Sequence, residues 1–83
     1  AAALDLIGRG IRVNAVCPGA VRTAMLEPAL QIPEIRAKLE SDHPIGRSAE
    51  AEEVAKVVLF LASDEASFIV GHGLAVDGGV LLK

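Results

Sequence analysis

The clearest repeat of apolar positions lies between Ser48 and Ala62, where Val54, Val57, Val58 and Leu61 recur at the i, i+3, i+4, i+7 spacing of one helix face. That spacing predicts a helix with these four side chains turned to a core. Ser48 stands where it can cap the helix, and Glu50, Glu52 and Glu53 fill its first turn, where negative charge meets the positive end of the helix dipole. Lys56 and Phe60 fall on the other side. A large aromatic residue on a surface helix predicts a partner there.

The period shortens to two at Ile11-Arg12-Val13-Asn14-Ala15-Val16-Cys17, a run rich in β-branched residues that predicts a strand. Ile11, Val13, Ala15 and Cys17 share one face. The apolar Val16 on the other face, with little charge nearby, predicts cover on both sides, as in a parallel sheet. Pro18-Gly19 ends this strand, and Leu74-Ala75-Val76-Asp77 predicts a second that stops at Gly78-Gly79 before the apolar tail Val80 to Lys83. Ala1 to Ile7 reads as the tail of a helix. Between Val21 and Ile45, Pro28, Pro33 and Pro44 divide a mixed pattern into helical pieces at Thr23–Leu30 and Pro33–Ser41, which suits a lid or binding loop. Ser63 to Ser67 reads as one capped turn, followed by the apolar clip Phe68-Ile69-Val70. The expected unit is α/β, with two parallel strands joined by a right-handed crossover. Ligands of such sheets sit beyond the carboxyl ends of the strands, which brings Pro18 to Thr23 forward as a site.

Composition narrows the function classes. At 83 residues and 52% hydrophobic the chain fits one domain at most, and eight basic against eleven acidic side chains leave a net charge of −3, with no basic field for nucleic acid or an anionic membrane. The longest apolar run, Val57 to Ala62, covers six residues, whereas a membrane-spanning helix needs about 20. The single cysteine, Cys17, and two distant histidines, His43 and His72, give neither an internal disulfide nor metal-ligand spacing, so the reading is cytoplasmic and metal-free. There is no tyrosine or tryptophan, and the chain begins with Ala1 inside a helical run. A piece of something longer is expected.

Ile11-Arg12-Val13-Asn14-Ala15-Val16-Cys17-Pro18-Gly19-Ala20-Val21-Arg22-Thr23 resembles the segment that follows the catalytic helix of short-chain dehydrogenase/reductases. His43-Pro44-Ile45-Gly46-Arg47, Glu52-Glu53-Val54-Ala55, Phe60-Leu61-Ala62-Ser63-Asp64 and Gly71-His72-Gly73-Leu74-Ala75-Val76-Asp77-Gly78-Gly79 are similar to that family's later blocks, in the same order. The resemblance implies that residues 1–83 form the carboxy-terminal segment of one doubly wound, parallel, Rossmann-like NAD(P)-binding domain: its last two strands, lid helices and one long amphipathic helix. It implies that Pro18, Gly19, Val21 and Thr23 line the nicotinamide end of NAD or NADP, with Met25 and Leu26 in a substrate lid. Such a wall suits a carboxamide, which offers one acceptor and two donors to backbone groups and a hydroxyl. Thr23 has an alternative reading as an ordinary helix cap.

The resemblance further implies an oxidoreductase that moves hydride between the nicotinamide and an alcohol or carbonyl. The family's glycine-rich loop, catalytic serine and Tyr-x-x-x-Lys pair would lie upstream, so no catalytic residue is expected in these 83 residues, which alone should be inactive. Expected partners are the upstream part of the same domain, a small-molecule substrate, and further copies of the protein in a dimer or tetramer, through the Glu50–Ala62 helix and the last strand. A non-catalytic assembly module of the same fold is the alternative. The other polar residues read as structural. Asn14 inside a strand satisfies backbone groups, Cys17 is a small hydrophobe on an inner face, His43 and His72 are loop residues, and Asp77 before two glycines bonds local amides.

Overall fold

The computed structural model describes residues 2–82; Ala1, where the first helix reading begins, and Lys83, which ends the apolar tail, lie outside the described residues. The chain runs through α1 (Ala2–Ile7), β1 (Ala15–Pro18), β2 (Val21–Arg22), α2 (Glu27–Leu30), α3 (Pro33–Asp42), β3 (Ala49–Glu50), α4 (Ala51–Ala62) and β4 (Gly73–Val76). Single 3-10 turns occupy Asp64–Ala66 and Val80–Leu82. β1 and β4 pair in parallel with Ala15 opposite Gly73 and Pro18 opposite Val76, and α4 lies in the crossover between them. The ladder extends at both ends, since Ala15 N donates to His72 O at 2.9 Å and Gly19 N to Val76 O at 3.1 Å. Pro18 is tolerated because Gly19 supplies the next donor on that edge.

The expected strand over Ile11 to Cys17 is shorter in its ladder, which starts at Ala15. Ile11 to Asn14 form an approach to it, held by side chains. The Arg12 guanidinium donates to the carbonyls of Leu61, Ser63, Ala66 and Ile69 at 3.0, 3.0, 2.9 and 3.3 Å. It thereby ties the carboxyl end of α4, at Leu61 and Ser63, to the turn that follows, at Ala66 and Ile69, where a cation is also favoured by the helix dipole. Asn14 behaves as its place in the strand predicts, donating to Ile69 O at 3.0 Å and accepting from His72 N at 2.9 Å.

Burial corrects the expected faces. Val16, Leu74 and Val76 are half-buried on one side of the ladder, while Ala15, Cys17 and Ala75 are exposed on the other. α4 packs against β1 and covers one face. Among the described residues no helix covers the second, so Cys17 is not a buried hydrophobe here. The helix stripe narrows for the same reason: Leu61 is buried and Val54 and Val57 half-buried, but Val58, expected in the core, is 48% exposed.

The helix cap is also corrected. Ala49–Glu50 pairs in parallel with Val21–Arg22, an interaction that two-residue strands do not announce in a pattern of period two. That pairing holds the chain extended past Ser48, so Glu50 becomes the cap, in a reciprocal box with Glu53 in which Glu50 N donates to Glu53 Oε1 at 2.9 Å. Upstream, the expected piece Thr23–Leu30 is helical only from Glu27, and Pro33–Asp42 matches the second expected piece.

Candidate functional site

The Pro-Gly turn leaves the carboxyl end of β1 and enters β2 through Gly19 and Ala20, so Pro18, Gly19, Val21 and Thr23 follow one another along a single edge of the molecule. Pro18 and Thr23 are exposed; Gly19 and Val21 are half-buried. Three contacts pin the turn. Gly19 N donates to Val76 O at 3.1 Å, Ala49 N donates to Ala20 O at 2.9 Å, and Ala20 N donates to His43 Nε2 at 3.2 Å. The first two tie it to β4 and β3, and the third to the end of α3.

Gly19 sits in a tight corner. A Cβ there would stand 3.0 Å from His43 Nε2 and 3.1 Å from the Asp77 Cα, tighter than most packed contacts, so the imidazole or the strand end would have to give by a few tenths of an ångström. The strand end and the imidazole close on the glycine backbone. Asp77 holds the opposing corner as a turn-former, its Oδ1 accepting from Gly79 N at 2.9 Å and its Oδ2 from Leu81 N at 3.3 Å. Gly78 has φ +61°, and Ile45 N donates to its carbonyl at 3.0 Å. A Cβ at Gly78 would meet Ile45 Cγ2 at 2.5 Å, so glycine is required there for space and for backbone conformation.

Thr23 caps the turn before α2. Its Oγ1 accepts from Leu26 N at 3.3 Å, and its carbonyl from Leu26 N and Glu27 N at 3.1 and 2.9 Å. A hydroxyl that accepts one bond keeps its own proton to donate, so the cap role and a ligand role are compatible. The lid residues differ from each other: Leu26 is half-buried, whereas Met25 is 93% exposed. The structure thus gathers the turn residues and leaves Met25 without a wall among the described residues.

Ion pairs frame the lid. Arg22 meets Glu27 through two bonds of 2.8 Å, and Arg47 meets Glu53 through bonds of 2.7 and 3.0 Å. The Arg47 guanidinium, helped by the Glu50 amide, pushes the Glu53 carboxyl down from 4.5 to about 2, and the Arg22 guanidinium likewise lowers Glu27. Arg22, Leu30, Arg36, Leu39 and Arg47 line a cleft of about 200 Å³ between the lid helices and the β2–β3 pair. A shallower depression of about 350 Å³ lies between Ala20 and the α3 side chains Ile35 and Leu39, with His43 at its edge. His43, expected as a loop residue, instead ends α3 as one of the few buried side chains, 9% exposed. Its spacing of 23 residues from Ala20 gives no local signal.

A parallel ladder with a helical crossover, a close-packed glycine turn at the strand's carboxyl end and two short helices after it define a segment of a Rossmann-like α/β fold. The enoyl-(acyl carrier protein) reductase family matches over residues 1–81, and the chain belongs to the short-chain dehydrogenase/reductases. It is 45% identical over 82 residues to 2-(S)-hydroxypropyl-CoM dehydrogenase 3 of Xanthobacter autotrophicus, covering 94% of this chain and 32% of that protein. Among solved structures, 4-hydroxyisoleucine dehydrogenase complexed with NADH superposes with a TM-score of 0.94 at 26% identity, covering 99% of this chain and 34% of that one. ElxO with NADP bound superposes with a TM-score of 0.88 at 36% identity, covering 99% and 34%. The chain therefore spans about a third of the length of these relatives. Among the described residues no helix is long and apolar enough to cross a membrane.

Proposed function

We propose that the chain works as the carboxy-terminal segment of a cytoplasmic NAD(P)-dependent oxidoreductase, supplying the nicotinamide-side wall and the substrate lid while the upstream segment supplies the acid/base and the phosphate cradle. The observation that carries this reading is the turn at Pro18 to Thr23, which lies at the carboxyl end of β1 and packs the Gly19 backbone closely against His43 and Asp77. A nicotinamide carboxamide needs such a surface, with backbone groups at Val21 and a hydroxyl at Thr23 whose proton is still available. When bound, NAD(P) would supply the hydride chemistry. The contribution of Pro18, Gly19, Val21 and Thr23 is to hold and orient its nicotinamide end, and that of Met25 and Leu26 is to cover the substrate. The solved relatives that hold NADH and NADP support the cofactor class.

In the full-length protein, Thr23→Val should weaken NAD(P) binding by about 0.5–1.5 kcal/mol, the net value of one hydrogen bond, and Thr23→Ser should restore it. Titration calorimetry checks both, and an unchanged dissociation constant in Thr23→Val would remove Thr23 from the site. The 83 residues alone contain no tyrosine and should show no cofactor-dependent alcohol oxidation. Turnover above buffer in the isolated chain would contradict that division of labour. Assembly into a dimer or tetramer through α4 and the last strand completes the proposal, on the ground that Leu59, Phe60 and Phe68 are left exposed beside them.

A further inference from the structure

Of the three contacts that pin the turn ahead of Val21, two run between backbone atoms and one uses a side chain, His43. The imidazole has one proton to place when neutral. Ala20 N–H must donate, so Nε2 must accept, and the proton therefore sits on Nδ1, which donates to Leu39 O at 2.8 Å. That carbonyl lies in the last turn of α3, where helix acceptors have no partner of their own. The ring is thus a strut with two distinct ends, one on the lid helix and one on the turn. It is also closely packed: a Cβ at Gly19 would stand only 3.0 Å from Nε2, His43 O accepts from Gly46 N at 2.7 Å, and Ile45 N is tied to Gly78 O.

We infer that His43 is a positioning residue for the cofactor wall: through Nε2 it sets the path of Ala20 and Val21, and through Nδ1–H it couples that path to α3 of the lid. The inference deepens the proposed function and rests on the reading that Val21 and Thr23 face a nicotinamide carboxamide. Ala20 sits between two held peptides: His43 Nε2 accepts from the N–H of the Gly19–Ala20 peptide and Ala49 N donates to the carbonyl of the Ala20–Val21 peptide, so the turn about Ala20 keeps one conformation. Without the imidazole the Ala20 N–H loses its partner and the Gly19–Ala20 peptide is free to turn, which would shift the approach to Val21 and loosen its match to a planar carboxamide while leaving the ladder and the Ala49 bond intact.

Two conservative replacements separate the ends of the strut. His43→Asn keeps a donor at the place of Nδ1 and loses the acceptor toward Ala20; His43→Gln keeps an acceptor at the reach of Nε2 and loses the short bond to Leu39. In the full-length protein, His43→Ala should raise the NADH or NADPH dissociation constant about fivefold, the loss expected for one hydrogen bond, with kcat changed less than about twofold. His43→Gln should restore the affinity, and His43→Asn should not. Restoration by asparagine instead, or an unchanged affinity in His43→Ala with only a lowered melting temperature, would reduce His43 to a helix cap and overturn the inference. Imidazole ¹⁵N shifts of the wild-type protein give a readout that needs no cofactor: protonated Nδ1, bare Nε2 and a slowly exchanging Ala20 amide are expected, and the opposite tautomer would overturn the strut. Should the wild-type protein bind neither cofactor, the proposed function falls, and the tautomer and the Ala20 amide decide whether the strut stands.

Discussion

The two halves of the structure are held together by different means. On the ladder side, Arg12 and Asn14 reach across 49 to 58 residues of sequence to backbone groups between Leu61 and His72, so a few side chains fix where the end of α4 sits against β1 and β4. On the lid side, Arg22–Glu27, Arg36–Glu40 and Arg47–Glu53 join charges that water also reaches, and the buried side chains are Leu30 and His43. Exposed pairs contribute little because solvent screens them, whereas a guanidinium serving four carbonyls replaces hydration that those groups cannot recover. The ladder side is accordingly held by long-range bonds to backbone, and the segment between β1 and α4 by pairs that solvent screens.

The largest expected effect tests the ladder side. Arg12→Ala in the full-length protein should cost about 3 kcal/mol of stability, because several carbonyls lose their donor together, and thermal or urea unfolding checks it. Arg12→Lys should recover only part, since an ammonium cannot fan out to four acceptors. A loss no larger than that of Arg47→Gln would erase the contrast between the halves.

A smaller effect concerns what lies outside the ladder. Phe60 and Leu59 are exposed on α4, and the helical spacing leaves Phe60 for a partner. Phe60→Glu should lower the mass of the assembly in light scattering and leave the circular dichroism spectrum folded. An unaltered mass would show that no second copy depends on this face.

The smallest effect belongs to the lid. The Glu53 carboxyl is held at about 2 by Arg47 and the Glu50 amide, below its ordinary 4.5, so the folded state favours its charged form. Its contribution is complete above the ordinary value and is lost as pH falls from there through about 2. Arg47→Gln should therefore lower stability slightly at pH 7, where the contribution is complete, and by progressively less from about pH 4.5 down to 2, flattening the acid limb of the stability profile. An equal loss at neutral and acid pH would mean that Arg47 acts through packing.

What was legible in the sequence follows the same division. The period of α4 and the turn-forming Asp77 are local properties, and the structure keeps them; Asn14 does bond backbone groups, but at Ile69 and His72, far along the sequence. Arg12 gives no such signal, because its partners lie 49 to 57 residues away and are backbone carbonyls. The β2–β3 pair is two residues long on each side, too short for alternation to register, and it moved the helix cap from Ser48 to Glu50. Cys17 and Val58 were assigned to a core by their periods, but a period names a face and cannot say whether anything covers it. The turn at Pro18 to Thr23 was legible as a block, and the imidazole that braces it was hidden by a separation of 23 residues.

A crystal structure of the full-length protein with NADH or NADPH bound tests the central claim most directly. The account predicts the nicotinamide beside the Pro18–Thr23 turn, its carboxamide about 3 Å from backbone atoms of Val21, with the Thr23 hydroxyl bonded to the cofactor. A nicotinamide held elsewhere, with that turn facing solvent, would contradict it.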